Sequence, residues 1–265
     1  MRPLDAFPLS ARRRVKAVLA DIDETLTTEG RLTSAAVAAM ERLQGAGFLV
    51  IAVTGRPAGW CDHIARMWPV DGVVGENGAF YFRYDHATRT FTKRYQMSAA
   101  ERAENRRKLD GLREKILKKV PGAAVSADQA YREADLAIDY CEDVPRLADE
   151  AVRRIVQIFE AAGATARISS IHVNGWFGKY DKLSMARLML AECFAIDMDA
   201  EKDSFVFVGD SPNDATMFAF FPNAVGVANV SAFVDRLTAK PAYVTPSPAG
   251  AGFAELADAL VAAKG

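Results

Sequence analysis

Asp21-Ile22-Asp23 follows directly on an apolar run at 15–20. In an extended chain residues i and i+2 point the same way, so both carboxylates share one face at a strand's carboxyl end. Open α/β sheets bind ligands at that end, and two carboxylates so close suit a cation together with two separate chemical roles. A second cluster, Thr54-Gly55-Arg56, follows another apolar run. It offers a hydroxyl and glycine-exposed amides ahead of a helix, a suitable place for a phosphate or oxyanion. Thr54 is equally suited to capping that helix, and Arg56 to an ordinary ion pair. Lys182 opens a helix, where a basic side chain opposes the macrodipole and needs some other interaction to justify it. Gly209-Asp210-Ser211-Pro212-Asn213-Asp214 packs two carboxylates and an amide into a strand-to-helix turn. It is the most specific of the four clusters, though its Asp, Ser and Asn could also simply cap the next helix.

The elements that must position these groups alternate. Apolar runs at 48–53 and 72–74 predict buried strands, and the patterns at 34–44 and 57–67 predict helices between them. The result is βαβαβ, the sign of a doubly wound parallel sheet. The pattern returns late in the chain: helices at 183–194, 213–220 and 253–263, and strands at 204–208, 224–227 and 242–244. The middle differs. It reads as a hairpin at 79–84 and 90–95, then a charged helix opening on the capping-box spacing Ser98…Glu101. Strands near 123–127, 134–140, 164–169 and 171–174, with a helix at 145–162, complete it. The expected organisation is therefore one α/β core from 1–84 and 179–265, interrupted by an inserted α+β module at 85–178. Gly175 and Gly178 mark a hinge at its return.

Bulk properties exclude several classes. Of 265 residues half are hydrophobic and a quarter charged, with net charge −1. That is the balance of a globular protein, without the basic excess of a nucleic-acid binder. Arg and Lys residues on the helix after Ser98 interleave with Glu101, Glu104, Asp110 and Glu114, as on a solvated face. Apolar runs are of strand length, too short to span a bilayer. Arg12, Arg13 and Arg14 precede only a short apolar stretch, so no signal peptide is expected. Cys61, Cys141 and Cys193 show neither metal spacing nor a disulfide framework. A cytoplasmic protein with no membrane and no nucleic-acid partner is expected, as a monomer or homodimer.

Asp-x-Asp, then Thr, then Lys, then Gly-Asp…Asp, in this order, resembles the haloacid dehalogenase (HAD) superfamily over essentially the whole chain. The large insert between Thr54 and Lys182 looks like the type-IIB cap of the Cof-like sugar phosphatases. Gly75-Glu76-Asn77-Gly78-Ala79 matches that branch's Asn-Gly-Ala turn. Sucrose-phosphate and mannosyl-phosphoglycerate phosphatases and the phosphomannomutases are similar in layout. The resemblance implies a Rossmann-like core and a phosphatase acting on a small phosphorylated metabolite, a sugar phosphate being the expectation. It implies Asp21 as nucleophile, Asp23 as general acid and then base, and Thr54, Gly55, Lys182 and Asn213 around the phosphoryl group. It implies Mg²⁺ held by Asp21, the Asp23 carbonyl, Asp210 and Asp214, a set of hard oxygens without His or Cys. Arg56, Asn77, His172 and Asn174 are substrate candidates, and Arg132 and Asp139 lesser ones. One departure is Glu24, where many relatives carry Gly; a side chain there could trim substrate choice.

Two other readings use the same residues. A phosphomutase would return the phosphoryl group to a sugar instead of giving it to water. A non-enzymatic phospho-acceptor module would need a different motif order in a much smaller domain.

Overall fold

The computed structural model describes Met1–Gly265. Its larger sheet has nine strands, in the order Arg2–Pro3, Tyr243–Val244, Val225–Gly226, Phe205–Gly209, Ala17–Ala20, Leu49–Val53, Gly72–Gly75, Phe80–Asp85 and Thr90–Tyr95. The first seven run parallel, and the last two form an antiparallel hairpin on one edge.

The central strands are apolar throughout because both faces are covered. Along Ala17–Ala20, Val18 and Ala20 pack into one core with helices Ser34–Gly45, Ala58–Met67 and Ala249–Lys264. Ala17 and Leu19 pack into the other, against Lys182–Phe194 and Ala215–Phe220. From Ala17–Ala20 the chain winds to one side through Leu49–Val53 and Gly72–Gly75, and later to the other from Phe205–Gly209. The order therefore reverses beside Ala17–Ala20, and a crevice opens there at the carboxyl ends. Asp21 and Asp210 follow the two strands that flank this reversal.

A second, antiparallel sheet orders Thr165–Ile168, His172–Trp176, Leu136–Asp139 and Ala124–Val125. Helices Ala99–Lys119 and Asp149–Glu160 close its core through Leu109, Ile116, Ile155 and Phe159. The Ser98 capping box is present, with Ser98 N–H donating to Glu101 at 2.8 Å.

Two details depart from expectation. Thr90–Tyr95 pairs with Phe80–Asp85 in the nine-stranded sheet, so the chain leaves that sheet after Tyr95, not at 85. An edge hairpin and a cap hairpin look alike in sequence, since both are short alternating strands around a turn. Gly175 lies inside the strand His172–Trp176, where an added Cβ would stand 2.2 Å from the Phe159 ring. Close packing requires that glycine; the left-handed backbone belongs to Gly178, at φ 127°. The pairing of Arg2–Pro3 with Tyr243–Val244 and the small hairpin Thr27–Thr28 with Arg31–Leu32 were not anticipated. Two-residue strands carry no periodicity to read. No helix is long and apolar enough to cross a membrane.

Candidate active site

Backbone pairing fixes the first carboxylate. Asp21 N–H donates to Val208 C=O at 2.9 Å, so the residue leaves the sheet at the crevice floor. Lys182 is the first residue of its helix, which Asp181 caps by accepting from Ser184 N–H at 2.8 Å. Its ammonium donates to Asp21 Oδ1 at 2.6 Å and to Asp214 Oδ1 at 2.7 Å. These two carboxylates are what justify a lysine at a helix N-terminus. Asp214 Oδ2 in turn accepts from Asp210 N–H at 3.1 Å, so the Gly-Asp…Asp turn is folded around its own last carboxylate. Gly209 makes room for it, since a Cβ there would stand 2.3 Å from Asp214 Oδ2.

Asp21, Asp210, Asp214 and Lys182 are all buried. Three carboxylates against one ammonium leave a formal excess of two negative charges where water is excluded. Burial, with repulsion from Asp214 and Asp23 set against the pull of Lys182, pushes the Asp21 carboxyl up to about 8. Burial, with repulsion from Asp21 and Asp214, holds Asp210 well above the carboxylate range. Burial disfavours the Lys182 ammonium, but Asp21 and Asp214 outweigh it and raise its pKa above the ordinary value.

This site fits a divalent cation. One oxygen from each of Asp21, Asp210 and Asp214 lies within 4.8 Å of the others. Asp210 Oδ2 accepts from Asn229 at 3.2 Å, while Asp210 Oδ1 is buried without any hydrogen-bond partner. An unpartnered buried carboxylate oxygen is costly unless something positive meets it. The donors are hard oxygens, as Mg²⁺ prefers.

The remaining predicted residues surround this centre. Thr54 is buried; its hydroxyl accepts from Arg56 N–H at 3.0 Å, turning the Thr54-Gly55-Arg56 loop. Asn77, in a left-handed conformation at φ 54°, brings its amide beside Gly55, and its Nδ2 is buried without a partner. Asn174 donates to Asp135 at 2.8 Å and approaches Gly55 from the second sheet. Asn213 accepts from the Ser211 hydroxyl at 2.8 Å. Asp21, Asp23, Gly55, Arg56, His172, Asn174 and Asn213 line one cleft between the two sheets.

Arg56 crosses that cleft. Its Nε donates to Asp23 Oδ1 at 2.8 Å and its Nη2 to Glu142 Oε1 at 2.7 Å. His172 Nε2 lies 2.8 Å from Glu142 Oε2, a close contact that misses the alignment of a hydrogen bond. Partial burial works against the Glu142 charge, but His172 and Arg56 outweigh it and draw its pKa down to about 2. With this bridge made, the cleft keeps about 10 Å³ of free space, room for about one water.

Sequence reasoning missed Glu142 and Glu76. Glu142 lies in a loop without periodicity, and its amide is held, with those of Cys141 and Asp143, by the Asp139 carboxylate at 2.8–2.9 Å. Glu76 is fully buried and accepts from the amides of Ala58, Glu133, Ala134 and Asp135 at 2.6–3.1 Å. Arg132, a lesser candidate, pairs with Asp128 and Asp135 and donates to Gly55 C=O at 2.8 Å. It braces the loop instead of lining the cleft. Glu24 has φ 56°, which explains the usual glycine; its carboxylate accepts from Gly30 N–H at 3.1 Å.

Comparison with known proteins agrees with this architecture. A Thermoplasma acidophilum protein is 19% identical with TM-score 0.67, covering 93% of this chain and 98% of its own. The sucrose-phosphatase from Synechocystis, solved with sucrose and phosphate, is 16% identical with TM-score 0.64, covering 94% and 98%. The Candida albicans trehalose-6-phosphate phosphatase C-terminal domain is 14% identical with TM-score 0.67, covering 96% and 95%. No curated protein matches the sequence. The family model for haloacid dehalogenase-like hydrolases matches residues 18–131 of this chain.

Proposed function

We propose that the chain is a Mg²⁺-dependent phosphatase that hydrolyses a small phosphomonoester, of the sugar-phosphate class, through an aspartyl-phosphate on Asp21. The observation that carries this reading is the uncompensated cluster of Asp21, Asp210 and Asp214 around Lys182 at the sheet's switch point. A phosphate dianion repels a carboxylate, so attack requires positive charge at the site first. A bound Mg²⁺ would supply Lewis-acid neutralisation of the phosphoryl oxygens, held by Asp21, Asp210, Asp214 and the Asp23 carbonyl.

The chain's own groups account for the rest. Asp21 attacks phosphorus in line, splitting one difficult displacement into two. Lys182, Thr54, the Gly55 amide and Asn213 hold phosphoryl oxygens. Asp23 protonates the departing alkoxide and later accepts a proton from the hydrolytic water, a role typically worth about 10²–10⁴ in rate. Arg56 orients Asp23 for it. We take residues 1–95 and 179–265 as the catalytic core and 96–178 as a cap whose approach excludes water. The shared fold of the sucrose-phosphatase and the trehalose-6-phosphate phosphatase supports the substrate class. Three unpaired cysteines are consistent with a reducing, cytoplasmic setting.

The test is Asp21→Asn, measured by phosphate release from a panel of phosphorylated metabolites with Mg²⁺. Turnover should vanish with the fold intact, since an amide cannot form the acyl phosphate. Retention of more than about a tenth of wild-type turnover would refute the assignment, because losing a nucleophile costs several kcal/mol.

A further inference from the structure

Asp23 faces two spaces. On one side is the closed cleft, with its roughly 10 Å³ of room. On the other is a cavity of about 390 Å³, built by the small hairpin of Thr27–Thr28 and Arg31–Leu32 and the helix Ala58–Met67, with Leu32, Trp60, His63, Ile64 and Trp68 in its walls. Every residue of this cavity lies between 22 and 68, so the second sheet contributes nothing to it. Asp23 is the one residue that lines both spaces. Trp60 is 42% exposed, unusual for so large an apolar group, and the Arg56 guanidinium sits 4.4 Å from its ring centroid. Arg56 thus steadies both the tryptophan and Asp23 at the boundary.

Resting on the phosphatase reading, we propose that this cavity receives the leaving alcohol's remote end, and that this end presents flat carbon surface, an aromatic ring or the carbon face of a sugar ring. The alcohol oxygen must lie at Asp23 to be protonated. The cavity is open space directly beyond Asp23, so the rest of that alcohol can extend into it. The volume falls within the roughly 300–1,000 Å³ of ligand pockets, and largely apolar walls with a few polar groups, Asp23, Thr27 and His63, match their usual character. Selectivity then resides in core residues 32–68 as well as in the cap.

The experiment narrows the cavity with His63→Trp, at an exposed position, and independently with Leu32→Trp. For each, kcat/KM is compared on glycerol phosphate, phenyl phosphate and a disaccharide phosphate. Both variants should lose at least tenfold more on a ring-bearing substrate than on glycerol phosphate. A selective loss on phenyl phosphate identifies an aromatic occupant, and one on the disaccharide phosphate a sugar face. Equal losses on all three, or none, would overturn the proposal. Saturation-transfer NMR with benzyl alcohol and with sucrose separates this idea from the phosphatase reading, since it needs neither metal nor turnover. Ring signals seen with wild type and lost in both variants support the cavity even if no phosphate is released. Signals unchanged by either variant would sink it.

Discussion

Lys182 Nζ lies 2.6 Å from Asp21 Oδ1, so the buried ammonium and the proposed nucleophile hold each other in place across 161 residues of sequence. The same nitrogen reaches Asp214 at 2.7 Å, which ties the last motif to the first. One cation therefore assembles three chain segments, and the site's geometry depends on a charge pair that water does not screen.

Replacing that cation without changing the packing volume isolates this role. Lys182→Met should cost about 3–5 kcal/mol of stability in chelator, because Asp21 and Asp214 are left buried against each other. Added Mg²⁺ should restore part of this, by binding only the folded state. Turnover should fall by about 10²–10³, the usual loss for one preorganised electrostatic contact to the reacting group. Urea denaturation with and without Mg²⁺, alongside phosphate release, measures both. A variant as stable as wild type in chelator would contradict the pairing.

Metal affinity should depend on pH in a defined direction. Burial, with the nearby carboxylates, raises the Asp21 carboxyl to about 8, above its unfolded value of 3.8. A raised acid is protonated in the folded state between those values, so ionising it there opposes folding, and stability without metal falls as pH climbs toward 8. Mg²⁺ must displace that proton to bind. Its affinity should weaken by about tenfold per unit as pH drops below 8, and level off above it. Titration calorimetry in buffers of different ionisation enthalpy would show proton release on binding at pH 7. A pH-independent affinity from 6 to 8 would exclude a proton on the cluster.

The core was legible because each candidate catalytic residue follows a continuous apolar strand or opens a helix, and those signals are local. Asp21, Thr54 and Asp210 follow strands whose two buried faces force an unbroken apolar run. Lys182 stood out for the opposite reason, as a charge in an unfavourable helical position. Glu76 and Glu142 escaped because nothing local distinguishes a carboxylate that caps distant amides from one facing solvent. Their partners, Glu133 to Asp135 and Arg56, lie 57 to 86 residues away in sequence. The hairpin at 80–95 was correctly read as strands, but sheet membership is a tertiary fact that alternation does not encode.

Glu76 offers a direct measure of the bracing between the sheets. One oxygen, Oε2, accepts from both Ala134 and Asp135 at 2.6 and 3.1 Å, and Oε1 accepts from Ala58 and Glu133. Glu76→Gln places an amide donor against amide donors at one of these positions. A buried donor left unmet costs about 1–3 kcal/mol, and the lost charge-assisted bonds add to that. We expect the loss together with faster hydrogen exchange at Glu133, Ala134 and Asp135. Unchanged exchange there would mean that the carboxylate does not hold the connection.

The last prediction concerns how the Asn-Gly-Ala turn serves the lysine. Gly78 has φ 105°, and a Cβ built on it would stand 2.0 Å from Asp181 C=O and 3.0 Å from Lys182 N. Both obstacles are backbone, so no side-chain rotation relieves the clash. Gly78→Ala must displace the start of the helix Lys182–Phe194 and carry the Lys182 ammonium away from Asp21. Gly163 provides the control: its φ is 78°, but nothing lies within 4 Å of its added Cβ. Gly163→Ala should therefore cost only the left-handed backbone penalty, about 1–2 kcal/mol, with kcat unchanged. Gly78→Ala should cost more in stability and lower kcat at least tenfold, because a shift of about an ångström in a positioned group is enough for such losses. Thermal denaturation and phosphate release on the two variants decide it. If Gly78→Ala lost stability like Gly163→Ala while keeping its kcat, the turn would be a fold element alone, without a part in placing Lys182.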